Sequence, residues 1–400
     1  MARACFFLVV VAFCLGVPLA SIVRAVSRRL RAVDSPGVPG QVKAARRWVP
    51  NTGGVAVVLA FALPVVAVVL MVQGLDPSRA AAWRTDFTFL PADLHEHVAG
   101  LRQQTPLAVL LLACVALLHV LGLIDDRRPM GPWVKLAIMA VPAVAIPLAP
   151  ELAGGALPQT RLLTILDAPA GGAWASIALT GVWFLVLTNA MNFMDNMDGL
   201  SAGVGAVASA CLRAVALHGE QWFVAACLAL LLGSLLGFLV FNFPWREWDG
   251  KRGGATLFLG DGGSLVVGFL LAFLATRITY VPHASPDAPG TPWHAILTPL
   301  VVLAVPLYDF ASVVLIRLSQ GRSPFVGDLQ HLSHRIGQKG LSRRQAVLVI
   351  YLFAGGVGLA GVILPRVAAP EAVLVFAQVA ALLAALALFE WSHARKKGAA

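Results

Sequence analysis

Residues 106–127 read PLAVLLLACVALLHVLGLIDDR. From Pro106 to Ile124 the run is apolar except for one histidine. It is long enough to cross a bilayer, which takes roughly 17–25 such residues. It closes on Asp125-Asp126-Arg127, three charges where the lipid would end. The stretch is expected to be a membrane-spanning helix that delivers two carboxylates to the membrane boundary.

Outward from it, comparable runs fall at about 5–23, 52–72, 134–150, 173–191, 199–217, 221–242, 263–280, 294–316, 345–364 and 371–389. Residues 134–150, interrupted by Pro142 and Pro147, form the weakest of them. Hydrophobic residues make up 58% of the 400 and charged residues 12%, with a mean hydropathy of +0.81. Ordinary soluble domains carry roughly 45–50% and 25%. The expectation is an all-α, polytopic integral membrane helix bundle of about eleven spans. With no internal repeat or low-complexity linker, residues 1–400 read as a single membrane domain.

The net charge of +10 suggests nucleic acid at first sight, but the charges follow topology instead. Only Arg3 precedes the first apolar run, while Arg24, Arg28, Arg29 and Arg31 follow it, which argues for a retained helix rather than a signal peptide. Placing the N-terminus outside puts the segments 24–51, 125–135, 192–198, 243–262, 317–344 and 390–400 on one side. They hold 22 of the 30 Lys and Arg residues, against 8 on the other side. By the positive-inside rule the first set, and the C-terminus, face the cytoplasm. The five cysteines lie in apolar runs without paired spacing and are expected to be packing residues. In the long outer segment 73–105, Trp83, Phe87 and Phe89 are candidates for the membrane interface.

Only 20 residues are acidic, so their positions carry information. Asp125, Asp126, Asp195, Asp198 and Asp261 all fall on the expected cytoplasmic side, at or just inside the boundary. Ionisable groups there are costly and point to function. The plainer alternative is that such carboxylates pair with nearby basic residues and only fix topology. Like charges gathered in one site need a cation, and oxygen donors suit magnesium or manganese rather than zinc.

Three further motifs lie in the same loops. Phe258-Leu-Gly260-Asp261-Gly262-Gly263-Ser264 puts a glycine turn at the start of a span, where bare amides can meet phosphate. In Asn189-Ala-Met-Asn192-Phe-Met-Asp195-Asn196-Met-Asp198-Gly199, the residues Asn192, Asp195 and Asp198 are three apart and would share one helical face. The last large loop carries Asp328-Leu-Gln-His331-Leu-Ser-His334-Arg335. It reads as a cationic clamp for the phosphates of a nucleotide sugar, or as a solvated basic loop near anionic lipid.

Taken in order, these motifs resemble those of the polyprenyl-phosphate N-acetylhexosamine-1-phosphate transferases, grouped as glycosyltransferase family 4. The matching elements are Gly122–Arg127 with Lys135 downstream, Asn192–Gly199, Phe258–Ser264 with Gly268, the histidine loop, and more weakly Pro50-Asn-Thr-Gly53-Gly54. The resemblance covers roughly residues 25–350. It implies a multi-pass protein of the bacterial inner membrane that joins a UDP-N-acetylhexosamine to a polyprenyl (undecaprenyl) phosphate and releases UMP. It implies Mg2+, with Mn2+ as an alternative, and makes Asp261 the leading metal ligand with Asp125 and Asp126 around the metal and the lipid phosphate. Asn192, Asp195 and Asp198 would position the nucleotide sugar, Lys135 would neutralise phosphate, and His331, His334 and Arg335 would bind substrate. The eleven-span layout is closer to the N-acetylglucosamine branch than to the ten-span branch that uses muramoyl pentapeptide.

One departure stands out. Relatives of the N-acetylglucosamine type carry His-x-His-His in the last loop, and here Ser333 replaces the middle histidine. Ser333 can donate a hydrogen bond but carries no charge, so it is expected to tolerate change better than His331 or Arg335. The sugar's identity and a homodimer stay open.

Two other classes compete. A CDP-alcohol phosphotransferase would share Asp195-x-x-Asp198-Gly199, but it needs an arginine where this chain has Gly203, and aspartates downstream where none precedes Glu220. A lipid or sugar transporter would place its ionisable groups near the midplane; Asp309 is the main residue of that kind here.

Overall fold

The computed structural model describes residues 2–30, 49–74, 98–245, 254–279, 293–325 and 328–391. The proposed interfacial residues Trp83, Phe87 and Phe89 lie outside these. Helices are the regular structure of the described residues, which contain no strand. Ten helices are long and apolar enough to cross a membrane, or eleven if one bent pair counts as a span.

The long helices are α1 (Ala2–Arg29), α2 (Gly53–Gly74), α3 (Val98–Arg127), α4 (Pro132–Leu152), α5 (Trp174–Met194), α6 (Leu200–His218), α7 (Trp222–Asn242) and α8 (Asp261–Thr279). A 3-10 turn at Trp293–Leu297 leads into the short α9 (Thr298–Val302), then α10 (Ala304–Ser319) and the short α11 (Leu332–Gly337). The chain closes with α12 (Arg343–Ile363) and α13 (Ala369–Trp391). The expected spans match these helices with one difference. The run 294–316 is not one straight helix but breaks near Leu303 with a bend of 66°. Pro306 explains the break, because it has no N–H to give the carbonyl of Val302, and such gaps kink helices.

Small residues let the helices approach. Ala12, Gly16 and Ala20 are buried along α1, facing Gly233, Ser234 and Gly237 of α7. A Cβ on Gly233 would lie 2.2 Å from the Val9 carbonyl oxygen. Lipid tails are as apolar as leucine, so close van der Waals contact is what holds such helices together. Gly233→Leu is expected to push α1 off α7 and cost about 1–3 kcal/mol. The check is the melting temperature in detergent. An unchanged melt would show that backbone contact does not join these helices.

α8 is the axis of the bundle. Every residue from Leu265 to Ala275 is buried, as expected of a helix apolar all round. It packs against α5, α3, α6 and α2, and Gly268 lies within 2.7 Å of α5 backbone once a Cβ is placed on it. Its first residue is Asp261. The most buried helix therefore presents a carboxylate at its end, in the middle of one face of the bundle. Cys5, Cys114, Cys211 and Cys227 are buried and unpaired, as packing residues should be, and Cys14 is exposed.

Candidate active site

Charges at two helix ends in this region oppose the dipoles of their own helices. Asp125 and Asp126 close the C-terminal turn of α3, where a negative charge is disfavoured, and Lys135 lies in the first turn of α4, where a positive one is. Their pairing offsets both. The Lys135 ammonium donates to Asp125 Oδ2 at 2.9 Å and also to Asp261 Oδ2, while Asp125 Oδ1 accepts from the Met130 amide at 2.7 Å. Lys135 thus bridges the ends of α3 and α8.

The other oxygen of Asp261 accepts from Asn192 Nδ2 at 2.9 Å, and the same amide nitrogen lies 2.9 Å from Ser264 Oγ. Asp126 faces the amides of Asp261 at 3.2 Å and Gly262 at 3.5 Å. Asp195 is near enough to Asp126 for the two charges to repel. Asp125, Asp126, Lys135, Asn192, Asp195 and Asp261 are therefore brought together from α3, α4, α5 and α8.

Glycines make this approach possible. Gly260 has φ +71°, and a Cβ there would lie 2.2 Å from the Asn51 carbonyl and 2.6 Å from Asp126 Oδ2. A Cβ on Gly122 would lie 2.3 Å from the Gly262 nitrogen, so α3 rests directly on the turn that opens α8. Pro50 to Gly54 pair with the other edge of that turn: the Phe258 amide donates to Pro50, and those of Gly53 and Gly54 to Phe258 and Leu259, each at 2.8 Å. His119, one turn before Gly122, lies 2.7 Å from the Gly262 carbonyl through Nδ1. His119 joins the site beyond the residues singled out from sequence: a lone imidazole three residues from Gly122 marks the helical face but not its distant partner.

Asp198 does not share the face of Asn192 and Asp195, contrary to what the spacing suggests. α5 ends at Met194, and Gly199 turns the chain at φ +80°. Asp198 is buried and accepts from the Ala255 amide at 2.9 Å. Asn242 accepts from the Gly199 amide and donates to the Leu257 carbonyl, each at 2.9 Å, and Tyr351 donates to the Gly199 carbonyl. These contacts join the chain around Asp198 to the segment leading into Asp261. Gly203 lies under the Tyr351 ring, where a Cβ would come within 1.8 Å of the phenol oxygen. The arginine of a CDP-alcohol phosphotransferase would have no room there.

The histidine loop meets the same segment from the other side. The His331 ring packs edge-on against Phe193, centroids 5.6 Å apart, and Ser333 donates to Asn196 Oδ1. Arg317 reaches over Phe193 and grips Asp328 at 3.0 and 3.3 Å. Burial alone would raise the Asp328 carboxyl, but hydrogen bonds from Arg317 and the Gln330 amide hold it below the usual carboxylate range. His334 is pushed down by burial, by His331 and by Arg343, so it is favoured as the neutral ring. Arg335 turns to α13, donating to Glu390 at 2.8 Å, to Ser312 at 2.8 Å and to the Gln330 carbonyl. Its guanidinium is thus occupied by protein partners.

Ser333 is only 1% exposed, which reverses its expected tolerance. Ser333→His is expected to lose the bond to Asn196 and overpack the loop, costing about 1–3 kcal/mol. A lower melting temperature than that of the parent checks this. A neutral result would return Ser333 to the set of open positions.

A cavity of about 740 Å³ opens between α1, α2 and α3, lined by Ile22, Val26, Val55, Val120 and Ile124 with Arg127 and Arg128 at one end. Val120, Ile124 and Arg127 share one stripe of α3, and Asp125 and Asp126 lie on the other side of that helix. The carboxylate cluster itself offers only oxygen donors of the kind that suit a hard divalent cation. Among the described residues, no three His, Cys, Asp or Glu side chains close on a single point.

Comparison with known proteins adds a family to this geometry. A model described as glycosyl transferase family 4 matches residues 108–279. A probable undecaprenyl-phosphate N-acetylglucosaminyl 1-phosphate transferase of Bacillus subtilis is 29% identical over 233 residues, 58% of this chain and 59% of that protein. A decaprenyl-phosphate N-acetylglucosaminephosphotransferase of Mycobacterium tuberculosis is 33% identical over 287 residues, 67% of this chain and 66% of the relative. An undecaprenyl-phosphate alpha-N-acetylglucosaminyl 1-phosphate transferase of Escherichia coli is 28% identical over 264 residues, 64% and 66% of the two chains. The chain thus spans about 59–66% of the length of these relatives. The family match takes in Asp125, Lys135, Asn192 and Asp261 and stops before the histidine loop.

Proposed function

Since the chain belongs to glycosyl transferase family 4, we propose that it transfers an N-acetylhexosamine-1-phosphate, most simply N-acetylglucosamine-1-phosphate, from a UDP-sugar to a polyprenyl phosphate. The observation that carries this reading is the Lys135 bridge between Asp125 and Asp261, with Asn192 on the far oxygen of Asp261. It gathers charge for phosphate chemistry from four helices at one face of the bundle. A transporter has no use for such a cluster at the membrane edge. The reaction would begin a lipid-linked envelope glycan, and the asymmetry of 22 basic residues against 8 supports a site on the cytoplasmic side of the inner membrane.

The bonds made and broken are few. A phosphate oxygen of the lipid attacks the sugar-proximal phosphorus, the bond from that phosphorus to the bridging oxygen breaks, and UMP leaves with the bridging oxygen. A phosphate monoester has its second pKa near 6, so the nucleophile is already largely ionised at neutral pH. Asp125 is therefore better suited to orienting groups than to removing a proton. Lys135 can follow the developing charge on the diphosphate, and Asn192 fixes the direction of Asp261. Positioning and electrostatic stabilisation supply most of the rate in phosphoryl transfer.

The donors here are oxygens, the kind that suits Mg2+ or Mn2+, and Asp261 with Asp125 and Asp126 would hold such an ion by drawing together around it. When bound, such an ion would neutralise diphosphate charge. Purified protein given a UDP-sugar, polyprenyl phosphate and Mg2+ is expected to release UMP, and to stop when the metal is chelated. Release of UDP, or of nothing across a panel of UDP-sugars, would reject the proposal.

A further inference from the structure

His119 interrupts the apolar run of α3 from Pro106 to Ile124. An imidazole at membrane depth is costly and by default points to function. Its Nδ1 lies 2.7 Å from the Gly262 carbonyl oxygen, and a carbonyl only accepts, so Nδ1 carries the hydrogen. A carbonyl oxygen has two lone pairs and can take this bond beside one from its own helix.

This bond is one of three holds on the same turn. Asp126 follows His119 by two turns on the same stripe of α3, and it faces the amides of Asp261 at 3.2 Å and Gly262 at 3.5 Å. Gly122 lies between the two, where a Cβ would meet the Gly262 nitrogen at 2.3 Å. α3 therefore grips the start of α8 by a carbonyl, by amides and by direct backbone contact. The grip works against charge. Asp126 and Asp261 are close enough to repel, which pushes the first turn of α8 away from α3. The amide contacts of Asp126 are long, whereas the His119 bond is short and opposes that separation.

We infer that His119 is a positioning residue: by holding the Gly262 carbonyl it keeps the first turn of α8 seated on α3, and so keeps Asp261 in place beside Asp125 and Asp126. The effect on rate rests on the proposed transferase reading, but the hold on α8 does not. Three substitutions separate the donated hydrogen from the ring. In His119→Asn the amide nitrogen takes the place of Nδ1 and can still donate. In His119→Gln it takes the place of Nε2, so a donor is present but misplaced. His119→Leu removes the donor at similar size.

The experiment combines steady-state kinetics with amide hydrogen exchange on the full-length protein. In His119→Leu and His119→Gln, turnover is expected to fall by about ten- to a hundredfold, the scale of a reacting group displaced by about 1 Å. The KM values for the UDP-sugar and for polyprenyl phosphate stay at the parent level, because the groups that bind each substrate are untouched. Exchange in the peptide that opens α8 quickens by about two- to tenfold, the contribution of one hydrogen bond, while peptides later in α8 are unchanged. His119→Asn keeps both turnover and exchange near the parent. Parent-like turnover and exchange in His119→Gln would overturn the inference. So would a loss in His119→Asn as deep as in His119→Gln, or a change confined to KM. If His119→Leu fails to fold, the comparison of His119→Asn with His119→Gln decides. A parent that releases no UMP would reject the transferase reading alone. The exchange rates would still decide the role of His119: faster in His119→Gln and parent-like in His119→Asn upholds it, and any other pattern overturns it.

Discussion

Asp261→Asn should leave the protein folded and cut turnover by at least about a hundredfold. The side chain begins the most buried helix of the bundle and meets Lys135 with one oxygen and Asn192 with the other. Asparagine keeps the size and one acceptor but removes the negative charge. Losing one preorganised electrostatic partner at a reacting centre typically costs about 10²–10³ in rate. Under the proposed function, the variant would also lose the proposed leading ligand for a divalent cation. Steady-state turnover in saturating Mg2+, beside a melting curve, checks both halves. Near-normal turnover would remove Asp261 from the reacting centre.

Lys135→Met should be the second severe variant, and it should damage stability as well as rate. It leaves the carboxylates of Asp125 and Asp261 facing each other with nothing between them. Breaking a buried ion pair from one side costs about 3–5 kcal/mol. The lower end is expected here, because the Asp261 side chain keeps 28% exposure. The double variant Lys135→Met with Asp261→Asn separates repulsion from packing. Removing one of the two opposed charges should raise the melting temperature above that of Lys135→Met alone, while turnover stays low. A double variant that melts lower than either single one would show that Lys135 contributes stem packing rather than charge.

The helices were legible because lipid imposes a simple rule. A long apolar run has one stable form in a bilayer, and every run named from the sequence except 294–316 is a single long helix in the structure. The bend near Leu303 was missed because a proline near a helix start can either begin a helix or break one, and only the neighbouring packing decides. The carboxylate cluster was legible from rarity, since few acids exist to be placed. Asp198 was misplaced for a local reason: spacing assumes the helix continues, and α5 stops at Met194. Ser333 looked tolerant because it carries no charge, whereas the fold buries it against Asn196. Asp309, His119 and Tyr351 act through contacts 23, 143 and 152 residues away along the chain, which no local pattern encodes.

The fate of the sugar-proximal phosphorus is the most direct measure of the proposed chemistry. UDP-N-acetylglucosamine carrying ³²P at the β position is mixed with the protein, polyprenyl phosphate and Mg2+, and the products are partitioned between water and organic solvent. Transfer of sugar-1-phosphate carries the label into the lipid phase as a mild-acid-labile diphosphate and leaves unlabelled UMP in water. Label that stays in the water as UDP while sugar enters the lipid would mean glycosyl transfer at carbon, and would contradict the account.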